Sequence, residues 1–298
     1  MTSPQVFWPY FMLAATGLAA LLRSWREVRT RRGLERVHWL AAVSIAVPMA
    51  VFGAEHLSSA NAIMNGVPSW MPGRLFWTYL VGVALIAASL SIIFKVWDRL
   101  SASLLALMLF LFVAMIHVPN ALASPNNRIL WTIVARDLSF GAGSALLALT
   151  TATESRRSNT AGIAMAFVYA IAAVCVFFGV EHFLHPECVP GVPLAKLMPD
   201  WYPLARVWTY LIGAAMVAGG LAMFWNKTCR LAATAIGTLV LLAVFLIYLP
   251  IMISKPDIEG VNYFADTLLF AGVVLIASGA SGAGKHSSPE KALSHGAG

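Results

Sequence analysis

Residues 52–56 read Phe-Gly-Ala-Glu-His, and residues 178–182 read Phe-Gly-Val-Glu-His, each at the end of a long apolar run. Further blocks follow in the same order. Pro68-Ser69-Trp70-Met71-Pro72 returns as Pro199-Asp200-Trp201-Tyr202-Pro203, and Trp77-Thr78-Tyr79-Leu80-Val81-Gly82 returns as Trp208-Thr209-Tyr210-Leu211-Ile212-Gly213. Pro119 matches Pro250, and Asp137 with Gly143 matches Asp266 with Gly272. The offset is 126 at the first block and 131 at the next two, so the second copy carries five extra residues between them. Five blocks kept in one order are a duplication, not chance.

What is duplicated follows from the runs between the blocks. The chain is 298 residues long, 59% hydrophobic and only 11% charged. A soluble globular chain carries roughly 25% charge. Less than half of that cannot cover a water-facing surface, which excludes soluble enzymes, nucleic-acid modules and disordered scaffolds. The runs Leu104 to Val118 and Leu231 to Ile253 are long and do not alternate, so they read as transmembrane helices and not barrel strands. Nine spans are expected, near 5–22, 38–57, 74–96, 101–119, 129–151, 161–183, 204–225, 230–252 and 262–281. Each copy then holds four spans, an even number, so the copies lie parallel in the membrane and relate by an axis along its normal. The expected architecture is all-α: an N-terminal transmembrane helix with a basic loop over 1–37, four-helix units over 38–152 and 153–281, and a disordered tail over 282–298.

Arginines and lysines near span ends set the orientation. With the N-terminus outside, the inner loops hold Arg23, Arg26, Arg29, Arg31, Arg32, Arg36, Lys95, Arg99, Arg156, Arg157, Lys227, Arg230, Lys285 and Lys291. That is 14 of 20 basic residues, and it accounts for much of the net charge of +7. A bacterial-type inner membrane, N-terminus outside and C-terminus cytoplasmic, is the expected location. The first run lacks basic residues before it and has six arginines after it, the flanks of a retained helix and not of a cleaved signal. Cys175, Cys188 and Cys229 are far apart and odd in number, which speaks against disulfide chemistry within the chain.

Ionisable residues at mid-helix cost about 2.5–3.5 kcal/mol each, so they need a reason. The first copy holds Glu55, His56, His117, Arg136 and Asp137, with Arg74 at the mouth. The second holds Glu181, His182 and Asp266, with Arg206 at the mouth and Tyr248 where His117 stood. In the expected topology all lie in the outer half of their helices, which suggests one polar pocket opening outward. Ion pairs that hold the bundle together are the plain alternative, since Glu55, Asp137, Arg74 and Arg136 sum to zero. A metal set of Glu55, His56, Glu181 and His182 has the right donors, but adjacent residues point about 100° apart on a helix. The spacing of His182, His185 and Glu187 is more metal-like, yet Ser59 replaces His185 in the first copy. No metal is expected. Pro48, Pro119 and Pro250 kink or end helices, and Gly82, Gly143, Gly213 and Gly272 allow close helix approach.

At these residues the chain resembles the DoxX-like membrane proteins, whose unit is a four-helix bundle. The likeness lies in Gly53 to His56 and Gly179 to His182, in the Pro-rich first outer loop, and in the Arg136-Asp137-Leu138 run with Gly143. It covers 38–281 as two fused units. Where the family pattern has a Glu before the glycines of the second helix, Tyr79 and Tyr210 stand here. The family includes a membrane subunit of a thiosulfate:quinone oxidoreductase. The resemblance therefore implies a quinone-linked redox subunit served by an extracytoplasmic partner protein, with a His and an acid bonding the quinone head group. Catalytic candidates are Glu55, His56, Glu181, His182, Asp137 and Asp266. Ligand-binding candidates are Arg74, Arg206, His117, Arg136, Tyr79, Tyr210, Trp77 and Trp208. A carrier or binding protein for a small polar solute or ion is the rival from another class. Whether the chain is an enzyme stays open at this point.

Overall fold

The computed structural model describes residues 3–30, 33–151 and 159–280; Arg31, Arg32, Arg156, Arg157 and the tail from Gly282 lie outside the described residues. Among these residues nine helices are long and apolar enough to cross a membrane. They are α1 (Pro4–Thr30), α2 (Leu34–Ser58), α3 (Arg74–Phe94), α4 (Asp98–Ala123), α5 (Arg128–Thr150), α6 (Ala161–Leu184), α7 (Ala205–Ala222), α8 (Asn226–Ser254) and α9 (Ile258–Ala280). No strand occurs among the described residues, only an isolated antiparallel bridge between Cys188 and Leu197. The chain is an all-α, multi-pass membrane protein.

α4 and α8 run past the prolines expected to kink or end them, to Ala123 and Ser254. Each instead widens into one π turn, Val113–His117 and Val244–Tyr248, just before Pro119 and Pro250. A proline ring displaces the carbonyl four residues back and offers it no N–H, and a π turn absorbs the mismatch. The Leu246 carbonyl that Pro250 cannot serve accepts instead from the Tyr202 hydroxyl at 2.8 Å. The turns sit at the same place in both copies, and each ends on the residue of interest, His117 or Tyr248.

The same equivalence appears at the first helix pair. A Cβ on Gly53 would come within 2.7 Å of the Gly82 carbonyl, and one on Gly179 within 2.9 Å of the Gly213 carbonyl. These glycines let α2 lie against α3, and α6 against α7, with the backbones nearly touching. Gly82 and Gly213 in turn leave room for the Cβ of His56 and His182.

The repeats do not close on themselves. α2, the first helix of its copy, packs along α9, the fourth helix of the other, with scarcely a contact to α5. α6 likewise packs on α5, and the two fourth helices meet in the centre. α9 is 89% buried along its apolar stretch, against 17% for α1, which lies on the outside against α2. Eight helices therefore share one core, and the polar residues of α5 and α9 fall inside it.

Candidate functional site

The buried charges come together at the seam between the repeats. Arg136 on α5 donates from Nε to Asp137 Oδ1 at 2.7 Å and from a terminal nitrogen to Asp266 Oδ2 on α9 at 2.6 Å. His117, at the end of the π turn, bonds Asp137 Oδ2 through Nε2 at 2.8 Å. Asp137 and Asp266 are each 6% exposed. One guanidinium thus stands between two carboxylates, so a neutral cluster must hold one further proton. The His117–Asp137 contact is a path along which a proton can pass.

Two other acids are tied across the same seam. Asn262 on α9 donates to Glu55 at 3.0 Å, and Arg128 at the start of α5 donates to Glu181 on α6 at 3.0 Å. Charge balance is thus struck across the seam as well as within each copy. Neither Arg128 nor Asn262 stood among the expected site residues. Arg128 lies one residue before the expected 129–151 span, and Asn262 is uncharged.

A cavity of about 790 Å³ lies in the first repeat. Its polar end is formed by His56, Thr78, His117, Arg136, Asp137 and Asp266. Its body is hydrocarbon from α2, α3 and α4, including Met49, Phe52, Leu85, Met108 and Phe112, and Ile63, Val67, Pro68 and Met71 of the 59–73 loop roof it. Leu104 and Leu107 also line it, yet each is 56% exposed on the outside of the bundle. The cavity therefore opens sideways between α3 and α4, onto the surface that faces lipid. It is less a polar pocket facing water than an apolar chamber with one charged end.

His56 Nδ1 lies 2.8 Å from the Phe52 carbonyl, one turn back in its own helix. A carbonyl only accepts, so Nδ1 carries the hydrogen and a neutral ring has its lone pair at Nε2. Among the described residues nothing bonds that nitrogen.

The second repeat has the matching groups, and they are already engaged. The 185–204 loop, longer than its 59–73 counterpart by the five inserted residues, folds inward. Val189 and Lys196 pair through the backbone, as do Met198 and Glu187, and this ladder sends the tip into the bundle. Cys188, Val189, Val192 and Leu194 are at most 2% exposed. Gly191 N–H donates to His182 Nε2 at 3.0 Å, Thr209 Oγ1 lies 3.1 Å from the Cys188 carbonyl, and the Tyr248 hydroxyl reaches Val189. His182, Thr209 and Tyr248 are the counterparts of His56, Thr78 and His117. The chain's own loop fills the space that is open in the first repeat.

The remaining expected residues are placed as follows. Trp77 lines the cavity, with its indole N–H on the Pro72 carbonyl. Trp208 packs on the apolar core. Arg74, Arg206, Tyr79 and Tyr210 are exposed and do not line the cavity. His185 bonds Glu187 in the loop while His182 points inward, so the metal-like spacing does not converge. No group of three or more His, Cys, Asp or Glu among the described residues is set to hold a metal ion. The three cysteines are free and buried, and burial pushes the Cys188 thiol above its ordinary range.

Fold and site together define a polytopic membrane protein with an apolar chamber, charged at one end, among its helices. No family model, no curated protein and no solved structure matches the chain.

Proposed function

We propose that the chain is a DoxX-like membrane subunit of a quinone-linked redox system, with the first repeat's cavity as the quinone site. One observation carries the reading: a largely hydrocarbon chamber opens onto the lipid-facing surface and ends in His56, His117, Arg136 and Asp137. An isoprenoid quinone has that form, a ring with two polar oxygens on an apolar tail. The residues fit such a group, since the walls are apolar and the polar end holds Arg136 and the His117–Asp137 contact. When bound, the quinone accepts two electrons and two protons; a partner protein at the face with the long loops supplies the electrons. The chain's own part is positional. His56 accepts from the ring's hydroxyl once the quinone is reduced, the His117–Asp137 contact lies beside the other oxygen, and Arg136 offsets negative charge. The 59–73 loop keeps water out, and the gap between α3 and α4 passes the tail. Carriage of a small polar solute, the rival reading, sits poorly with walls that are mostly hydrocarbon.

Lipid extraction from the purified protein tests the reading. Near-stoichiometric quinone is expected; quinone no higher than in a control membrane protein of similar size would overturn it in favour of the carrier.

The same proposal places the protein in a bacterial-type inner membrane with the arginine-rich 23–37 segment in the cytoplasm. A cytoplasm-active reporter fused after Arg32 should be active, and one placed in the 186–200 loop silent. The reverse pattern would put the long loops, and the partner, on the other side.

A further inference from the structure

The filled repeat is a template for what the open repeat takes. In the second repeat, His182 Nδ1 faces the Phe178 carbonyl at 2.5 Å, and Nε2 receives the Gly191 N–H at 3.0 Å. A backbone carbonyl can only accept and a backbone N–H can only donate. Both contacts therefore fix His182 as a neutral ring that accepts through Nε2. Thr209 shares its hydroxyl hydrogen between its own helix, at the Ala205 carbonyl 3.3 Å away, and the loop's Cys188 carbonyl at 3.1 Å. The loop thus brings a donor to the histidine, an acceptor to the threonine, and an apolar body of Val189, Val192 and Leu194 behind them.

In the first repeat the same two residues face the cavity with the same internal settings. His56 keeps its Nδ1 on the Phe52 carbonyl, and Thr78, 2% exposed, donates to Arg74 one turn back at 3.0 Å. What is missing is the loop. The 59–73 segment is five residues shorter and stops at the roof.

We propose that this cavity selects a single-tailed amphiphile whose head carries a hydroxyl, donating to His56 Nε2 and accepting from Thr78 Oγ1, one molecule per chain. Its tail lies along Leu104 and Leu107 and leaves between α3 and α4. The inference rests on the quinone reading for its place and deepens it, because it makes the hydroxyl-bearing quinol the tighter ligand than the quinone. A quinone has only acceptors, and two acceptors facing each other across His56 Nε2 lose the hydrogen bond and leave a buried lone pair unmatched.

The test uses the full chain in detergent and two probes that differ by one methyl, para-decylphenol and para-decylanisole, with binding followed by calorimetric titration. A decyl-benzoquinol and decyl-benzoquinone pair is run beside them. The phenol should bind about tenfold more tightly than the anisole, as one hydrogen bond predicts, at one per chain. His56→Phe should erase that advantage and His56→Gln, which keeps an acceptor, should restore part of it. Equal binding of phenol and anisole, two sites per chain, or an advantage that survives His56→Phe would overturn the proposal. If the Phe variant does not fold, the wild-type phenol-to-anisole ratio and Thr78→Val decide. A phenol preference without binding of either quinone form sinks the quinone reading and leaves this one. Quinone and quinol binding equally well does the opposite.

Discussion

Arg136→Leu should cost about 3–5 kcal/mol of stability, because it strips the guanidinium from between two buried carboxylates. The size follows from geometry. Arg136 spends Nε on Asp137 and a terminal nitrogen on Asp266, at 2.7 and 2.6 Å, and its side chain is only 17% exposed. Leucine fills much of the volume but leaves Asp266 without its cation, and Asp137 with His117 alone, where water screens them poorly. Both would have to take up protons or leave the core. Since Asp266 belongs to α9 and Arg136 to α5, the damage falls on the contact that joins the repeats.

Thermal unfolding in mild detergent reads the effect, and a double-mutant cycle isolates its cause. Asp266→Asn in the Arg136→Leu background should recover part of the loss by removing one unpaired charge. Arg136→Lys should sit between, since an ammonium offers a point charge where the guanidinium bonds both acids at once. Arg128→Leu should cost less, about 1–2 kcal/mol, because that arginine is 27% exposed at a helix start, nearer to water. A melting temperature for Arg136→Leu equal to wild type would mean that the two aspartates are neutral already, and that the cluster holds protons and not an ion pair.

The spans were legible because crossing hydrocarbon leaves few options: a run of about 20 apolar residues has to be a helix. The duplication was legible because short blocks such as Phe-Gly-x-Glu-His carry close packing at Gly53 and Gly179, and packing of that kind tolerates little change. Partner choice was not legible. Summing charge inside each repeat makes the first copy look self-sufficient, whereas Arg136 reaches Asp266, Arg128 reaches Glu181 and Asn262 reaches Glu55, all across the seam. Helix parity says that the copies are parallel, but it does not say that each first helix packs on the other copy's fourth. Tyr79 and Tyr210 had the right chemistry on the wrong face, and only packing decides a face. Which half is open does leave a trace in the sequence. The inserted loop contains Cys188-Val189-Pro190-Gly191-Val192-Pro193-Leu194, seven residues without a charge, which is poor material for a water-exposed loop and good material for a plug.

That plug turns on Gly191. Its φ of +147° is one that side-chain-bearing residues rarely adopt, and a Cβ there would fall 2.6 Å from the Tyr248 oxygen and 2.9 Å from Thr267 Oγ1. Gly191→Val therefore combines backbone strain with a clash against two side chains of the packed core, and should cost about 2–4 kcal/mol. The loop has a cheaper escape than the helices, because a few hydrogen bonds and the burial of Val189, Val192 and Leu194 hold it at one end of the bundle and no helix has to unwind. Loss of stability should accordingly come with expulsion of the tip. Cys188 reports this directly: at 2% exposure in wild type its thiol should resist a maleimide, and in Gly191→Val it should react, while Cys175 and Cys229, both fully buried within helices α6 and α8, stay unlabelled as internal controls. Peptide mapping after labelling makes the distinction. With the tip out, His182 Nε2 and Thr209 lose their loop partners, and the second repeat acquires the groups that the first presents to its chamber; para-decylphenol should then bind at two per chain. Labelling at Cys188 with the stoichiometry still at one would mean that the vacated space collapses. An unchanged melting temperature with Cys188 unlabelled would mean that the core around Tyr248 yields instead, and that the loop is no plug.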